Sequence, residues 1–187
     1  MRILAVTAHP DDETFGCGGT LAKYASEGNQ ITLLCATLGE AGEIQDPSLA
    51  NHQTLGLVRE QELRAACRIL GINNLLLLGY RDSGMAGTPE NDHPDALIGI
   101  GHQQIVGRVV EVIRRIKPHL VITFDQTGGY GHPDHIAVHH ATLAAFSAAP
   151  NISLYPELLG HDLAAYQPHK LYCFVIPRSL VTDYQAY

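Results

Sequence analysis

Two stretches far apart in this chain hold the residues able to do chemistry: Ala8-His9-Pro10-Asp11-Asp12-Glu13 near the start, and Tyr130-Gly131-His132-Pro133-Asp134-His135 downstream. Each follows a short apolar run that reads as a buried strand, and each leads into a helix-like stretch. In an open parallel sheet such strand ends face one shared crevice. The two stretches would therefore gather carboxylates and imidazoles into one small volume. That much charge is costly unless something binds it, and a divalent metal is the simplest candidate.

His9 and Asp12 stand three apart in a turn that becomes a helix N-terminus, and His135 lies in the first turn of another helix. Two imidazoles and one carboxylate leave a fourth position for water, the pattern of a catalytic zinc site. Mixed nitrogen and oxygen donors suit Zn²⁺ best, with Fe²⁺, Co²⁺ and Mn²⁺ as alternatives. Asp11 and Asp12 are neighbours and cannot point the same way. One can bind metal while the other takes a proton from the activated water as it attacks a carbonyl. His132 would stabilise the oxyanion or protonate a leaving amine, Tyr130 would donate to the same oxyanion, and Asp134 would orient an imidazole from behind.

Each feature has a plainer reading when taken alone. Asp12 and Glu13 are ordinary residues for the start of a helix, and Pro133-Asp134 is a good helix opening. The coincidence of both clusters at strand ends is what favours a site. Gly16-Cys17-Gly18-Gly19 lacks the G-x-G-x-x-G spacing, and the acids before it would repel a pyrophosphate. His93-Pro94-Asp95 resembles the second cluster without its second imidazole and reads as pocket wall or turn. No G-x-S-x-G elbow is present, which argues against a serine hydrolase.

The elements that must position these residues are legible as an alternation. Residues 2–7, 31–37, 74–78, 120–124 and 170–176 read as strands, and 20–27, 57–70, 103–117 and 134–148 as helices, with long loops at 38–54 and 79–101. That order predicts an α/β, Rossmann-like three-layer sandwich with a mostly parallel sheet of five strands and the metal site at the strands' C-terminal edge. Long loops inside a compact domain are often functional, and these leave from the same edge as the two clusters. A chain of 187 residues reads as one domain, 1–187. It ends shortly after the last strand without an evident closing helix, so either the domain is small or the natural protein is longer.

The formal charge of −7 argues against a nucleic-acid surface and leaves a small neutral or sugar-like substrate open. No apolar run approaches a membrane span. Four dispersed cysteines without a C-x-x-C pair suit a reduced, cytoplasmic protein. Homo-oligomerisation is compatible with all of this and is not specified by it.

Ala-His-Pro-Asp-Asp-Glu at 8–13 with Gly-His-Pro-Asp-His at 131–135 resembles the PIG-L (LmbE-like) family of zinc-dependent N-deacetylases. The resemblance implies His9, Asp12 and His135 as metal ligands, Asp11 as general base and His132 facing the oxyanion or leaving group. The stretch from Leu78 to Met85, which contains Arg81 and Asp82, is similar to the branch acting in mycothiol metabolism, and Tyr130 and Asp134 match that branch as well. Arg59 and Glu62 fit the family's R-x-x-E pattern, in which the arginine reaches the sugar; alone they would be an ordinary helix-face ion pair. The resemblance thus implies Arg59, Arg81 and Asp82 as substrate-binding residues.

The chemistry it implies is removal of acetyl from an N-acetylglucosamine-type substrate such as an N-acetylglucosaminyl-inositol. Cleavage of a larger amide in a thiol conjugate is the alternative within the class, and a non-catalytic sugar- or nucleotide-binding module the alternative outside it. The chain is shorter than proteins of the mycothiol branch, so the exact substrate stays open.

Overall fold

A computed structural model describes residues 1–161 and 163–176. Five parallel strands form one sheet in the order β3-β2-β1-β4-β5, with β1 at Arg2–Thr7, β2 at Gln30–Cys35, β3 at Asn74–Leu77, β4 at Leu120–Phe124 and β5 at Lys170–Phe174. Ile3 pairs with both Ile31 and Leu120, so β1 is central. From β1 the chain builds outward through β2 and β3, then returns to the other side of β1 with β4. The strand order reverses between β1 and β4. In open α/β sheets that reversal leaves a crevice at the carboxyl ends of the two strands, where 8–13 and 125–135 emerge.

Strands β1, β2 and β4 are apolar on both sides because both sides are covered, which removes the alternation expected of a half-exposed strand, whereas β3 and β5 at the two edges are partly exposed. Ile3 and Ala5 of β1 join Ile31, Leu33 and Cys35 in one core, with Leu21 of helix α1 (Asp12–Ser26) and Leu63 and Cys67 of helix α2 (Leu55–Leu70). Leu4, Val6 and Ala8 point the other way, into a core with helix α3 (His102–Ile116) and helix α5 (Pro133–Ala148). In α3 the apolar residues recur at helical spacing and are buried at Ile105, Val109, Val112 and Ile113. Pro118 forbids continuation, and Lys117 takes a left-handed conformation at the end. In α5 the facing side is made of Ala141, Ala145 and Ala148, small enough for close approach to α3.

The expected helix at 20–27 begins earlier: α1 starts at Asp12 and runs through the glycine stretch with a kink at Cys17. Glycine costs about 1 kcal/mol in a helix interior, but here it serves packing. A Cβ on Gly16 would lie 2.7 Å from the ring of Phe174. The other helices match within about two residues, while β2, β3 and β5 stop one or two residues short of the expected ends. The loops at 38–54 and 79–101 are present, the second holding turns of 3₁₀ helix at Pro89–Asp92 and Leu97–Gly99. The expectation about a closing helix after β5 concerns residues 177–187, outside the described residues. Among the described residues no helix is long and apolar enough to cross a membrane.

Candidate active site

His9, Asp11 and Asp12 sit where β1 turns into α1. Asp11 has φ 107, a conformation that a non-glycine residue adopts only at a cost. Glu13 holds it there, its fully buried carboxylate accepting the Asp11 N–H at 3.1 Å. This twist sends the two aspartates apart, as their adjacency requires. Asp12 turns inward and accepts from the N–H groups of Ala8 at 3.2 Å and His9 at 2.7 Å. Asp11 turns outward, half exposed, against the Arg59 guanidinium at 2.9 Å.

The second cluster is delivered by β4. After it, a glycine-rich helical turn, α4 (Gly128–Gly131), leads into α5. Gly128 has φ 62, and a Cβ there would lie 2.7 Å from the Cβ of His135, so only glycine lets this turn close over the helix start. His132 caps α5: its Nδ1 accepts from the N–H of Asp134 at 3.2 Å.

The donor set can be read atom by atom. His135 Nδ1 lies 3.0 Å from the carbonyl of Gly128 and must donate to it, which leaves Nε2 as a lone pair. His9 Nε2 faces the carboxylates of Asp134 at 3.1 Å and Asp82 at 3.3 Å, so the proton sits there and Nδ1 is a lone pair. Those two lone pairs meet at 3.1 Å. The Asp12 carboxylate completes the triangle, its Oδ1 3.3 Å from His135 Nε2 and its Oδ2 3.7 Å from His9 Nδ1. A tetrahedral ion with bonds of about 2.0–2.1 Å holds its donors about 3.3 Å apart. Three acceptors converging at that spacing repel one another unless a proton or a metal ion lies between them, and the arrangement fits a divalent metal.

His132 also lies close, one of its ring nitrogens coming within 4.8 Å of one nitrogen each of His9 and His135. Because its Nδ1 is spent as the helix cap, a neutral His132 carries its proton on Nε2. In that state it is a donor at Nε2, while it also stands with His9 and His135 in a group that could hold a metal. A second grouping of His9, Asp82 and Asp134 lies behind the first and shares the protonated face of His9, the arrangement in which a carboxylate orients a metal-binding imidazole.

The electrostatics follow from burial and from this network. Burial alone would lower the pKa of His9, but hydrogen bonds to Asp134 and Asp82 carry it up to about 10. A proton and a metal thus compete for Nδ1. Burial and the charge of His9 push His135 down to about 3. His132 is also lowered by burial and by His9. Burial raises Asp12 to about 6 against the pull of His9, and raises Asp11 against the Arg59 charge. Burial and the nearby acids raise Tyr130 to about 12, so its hydroxyl stays protonated as a donor. Its ring meets that of His135 edge-on, with centroids 5.0 Å apart.

The residues read as substrate-binding take different places. Arg59 lines an open cleft of about 540 Å³ together with Asp11, Glu43, Asp46 and Glu62. Its guanidinium also donates to the carbonyls of Pro10 at 2.6 Å and Gly39 at 2.9 Å, so it braces the Asp11 turn as well as facing the cleft. Asp82 is buried behind His9, where it accepts from the N–H groups of Gly84 at 2.9 Å and Ala41 at 3.2 Å. Arg81 is half buried, bridged to Ala96, and its Nε meets no partner among the described residues. Two further participants escaped the sequence reading. Glu13 sets the Asp11 backbone, and Ser83 donates its N–H to Asp134 at 3.0 Å. Glu13 reads as an ordinary first-turn acid, and a backbone donor has no sequence signal.

The profile of the PIG-L family, described as GlcNAc-PI de-N-acetylase, matches residues 4–146. The 1D-myo-inositol 2-acetamido-2-deoxy-alpha-D-glucopyranoside deacetylase of Geodermatophilus obscurus is 45% identical over 96% of this chain and 63% of its own length. The enzyme of the same name from Rhodococcus erythropolis is 48% identical over 83% of this chain and 56% of its own. The chain thus spans about three-fifths of the length of these relatives. The N,N'-diacetylchitobiose deacetylase of Pyrococcus horikoshii superposes with a TM-score of 0.78 over 99% of this chain and 67% of its own, at 20% identity; that likeness establishes the shared fold.

Proposed function

The chain belongs to the PIG-L family, whose profile covers three-quarters of it, and from that membership and the site we propose that it is a metal-dependent hydrolase removing acetyl from an N-acetylglucosaminyl-inositol or similar glycoside. The observation that carries the reading is the triangle of His9 Nδ1, His135 Nε2 and the Asp12 carboxylate, at 3.1, 3.3 and 3.7 Å, with Asp11 beside it. His9, Asp12 and His135 would hold the ion, for which mixed nitrogen and oxygen donors favour Zn²⁺. When bound, such an ion supplies Lewis acidity to water and to the amide carbonyl.

The chain's own residues do the rest. Asp11 takes the proton of the attacking water. The Nε2–H of His132 and the Tyr130 hydroxyl donate to the oxygen that becomes negative as water adds to the carbonyl carbon. The C–N bond then breaks, the nitrogen leaves as an amine after accepting the proton that Asp11 took from the water, and acetate is the other product. Asp134 keeps His9 in the tautomer the site needs. Arg59 and the acidic side chains of the open cleft offer partners for sugar hydroxyls, with Arg81 in the adjoining loop, whereas Asp82, buried behind His9, helps Asp134 orient that imidazole instead. The relatives named above bear the name of this same glycoside deacetylation, which supports the substrate class. A single domain, a reduced cytoplasmic setting suited to four free cysteines, and action on a small molecule belong to the same proposal.

The test is incubation of the zinc-loaded protein with a panel of N-acetylglucosaminides, the inositol glycoside included, with assay of new primary amine and acetate. Equimolar amine and acetate, lost on chelation and restored by zinc, is the expected result. Sugar binding that is insensitive to chelator and yields no amine would overturn the proposal.

A further inference from the structure

Two cavities of opposite character lie near the candidate site, and only the smaller one reaches the donor triangle. The open cleft is polar and touches Asp11. The other is small, about 90 Å³, and mostly apolar. Asp12 and His135 form one wall, and Phe15, Phe124, Phe174 and Ile176 form its apolar side, with Tyr130 and three glycines between them. Its volume equals that of about three waters in the liquid.

The apolar wall is held by the site itself. Phe124 stacks on the His135 ring with centroids 4.1 Å apart, and Phe174 meets Phe124 edge-on at 4.8 Å. Two glycines bear on its size. A Cβ at Gly16 would lie 2.7 Å from the Phe174 ring, and one at Gly129 would lie 3.1 Å from Ile176 Cδ1. A polar cavity beside the base and an apolar one beside two metal donors match the two ends of an N-acyl glycoside.

We propose that the pocket between Phe15, Phe124, Phe174 and Ile176 receives the acyl chain of the substrate, and that the packing of Phe174 against Gly16 sets the longest chain accepted. This rests on the hydrolase reading above. The acyl methyl points away from the glycoside, into a space that has room for a short chain and is bounded by the buried Phe124 ring and by Phe174, with Phe15 largely exposed. Apolar pockets discriminate by size through each methylene that fits or fails to fit.

The test is kcat/KM for glucosaminides of one aglycone carrying N-formyl, N-acetyl, N-propionyl, N-butyryl or N-hexanoyl groups. In the wild type, acetyl and propionyl should fall within about ten-fold of each other and hexanoyl about a hundred-fold or more below acetyl. Phe174→Ala should raise the hexanoyl-to-acetyl ratio at least about ten-fold, and Gly16→Ala should lower the propionyl-to-formyl ratio. Ratios within one variant cancel any loss of folded protein.

A second measurement does not depend on turnover: calorimetric binding of acetate, butyrate and hexanoate to the zinc-loaded protein. Weaker binding of hexanoate than of butyrate, reversed in Phe174→Ala, supports the pocket even if no glucosaminide is hydrolysed, an outcome that would count against the deacetylase reading alone. Equal turnover of all chains with ratios unmoved by both substitutions would overturn it, as would carboxylate affinities unchanged by Phe174→Ala.

Discussion

Charge is buried in two places in this molecule, on opposite terms. Arg114 of α3 is fully buried, and its guanidinium donates to four main-chain carbonyls, those of Ala149, Tyr155, Asn151 and Leu154, at 3.1, 3.0, 3.0 and 2.9 Å. Donors find acceptors within the chain, and the result ties the end of α5 and the segment after it to α3. At the donor triangle the groups are also buried, but acceptors face acceptors. Asp134 Oδ1 meets no donor among the described residues. A buried polar group left unpaired costs about 1–3 kcal/mol, and a fold tolerates that where another species supplies the missing partner. Burial of charge alone therefore does not mark a site, and neither does one unpaired atom, since Thr142 Oγ1 and Tyr80 OH are also unpaired among the described residues; several acceptors converging on one point do.

Substitutions on the two sides should separate accordingly. The largest effect is expected from Asp11→Ala, which removes the base without touching the triangle. kcat/KM should fall by about 10³-fold while metal analysis still finds one ion per chain. Loss of the ion would place Asp11 among the ligands and dissolve the assignment of roles.

Arg114→Ala comes next. It strands four buried carbonyls and should lower stability by about 3 kcal/mol, read from urea unfolding, with metal affinity and kcat of the folded fraction unchanged. If activity fell and stability did not, the contrast drawn between the two regions would be wrong.

Asp134→Asn should weaken metal binding about 10–100-fold, measured by competition with a chelating dye, because His9 loses the carboxylate that fixes its tautomer. An unchanged affinity would show that Asp82 suffices for that task.

The smallest effect is a shift in pH dependence. Burial raises the pKa of Asp11 and the Arg59 charge lowers it. The base works ionised, so activity declines as pH falls through that pKa. Arg59→Ala removes the lowering influence and should move the acid limb of the kcat/KM profile to higher pH, whereas a limb left in place would mean that Asp11 does not control it.

Much of this could be read without coordinates, and the reasons are local. Strands and helices follow from apolar runs and helical spacing, which is why α3 with Ile105, Val109, Val112 and Ile113 matches its expected span closely. His9, Asp12, His132 and His135 stand out because their types and spacing carry donor chemistry at strand ends. The start of α1 did not follow, because its glycines are read by propensity as a break while packing against Phe174 retains the helix. Arg114 gave no sign either, since a charged residue on an amphipathic helix reads as solvent-facing until carbonyls from a distant segment surround it.

From sequence alone came the identity of the reactive residues and the α/β order that brings their segments to one sheet edge, since both are written in residue type and periodicity. Tertiary structure decided which nitrogen of each imidazole is free, which of two adjacent aspartates turns inward, and where the apolar pocket lies. Those outcomes depend on hydrogen-bond partners and ring contacts contributed by residues far away along the chain, and no local pattern encodes them.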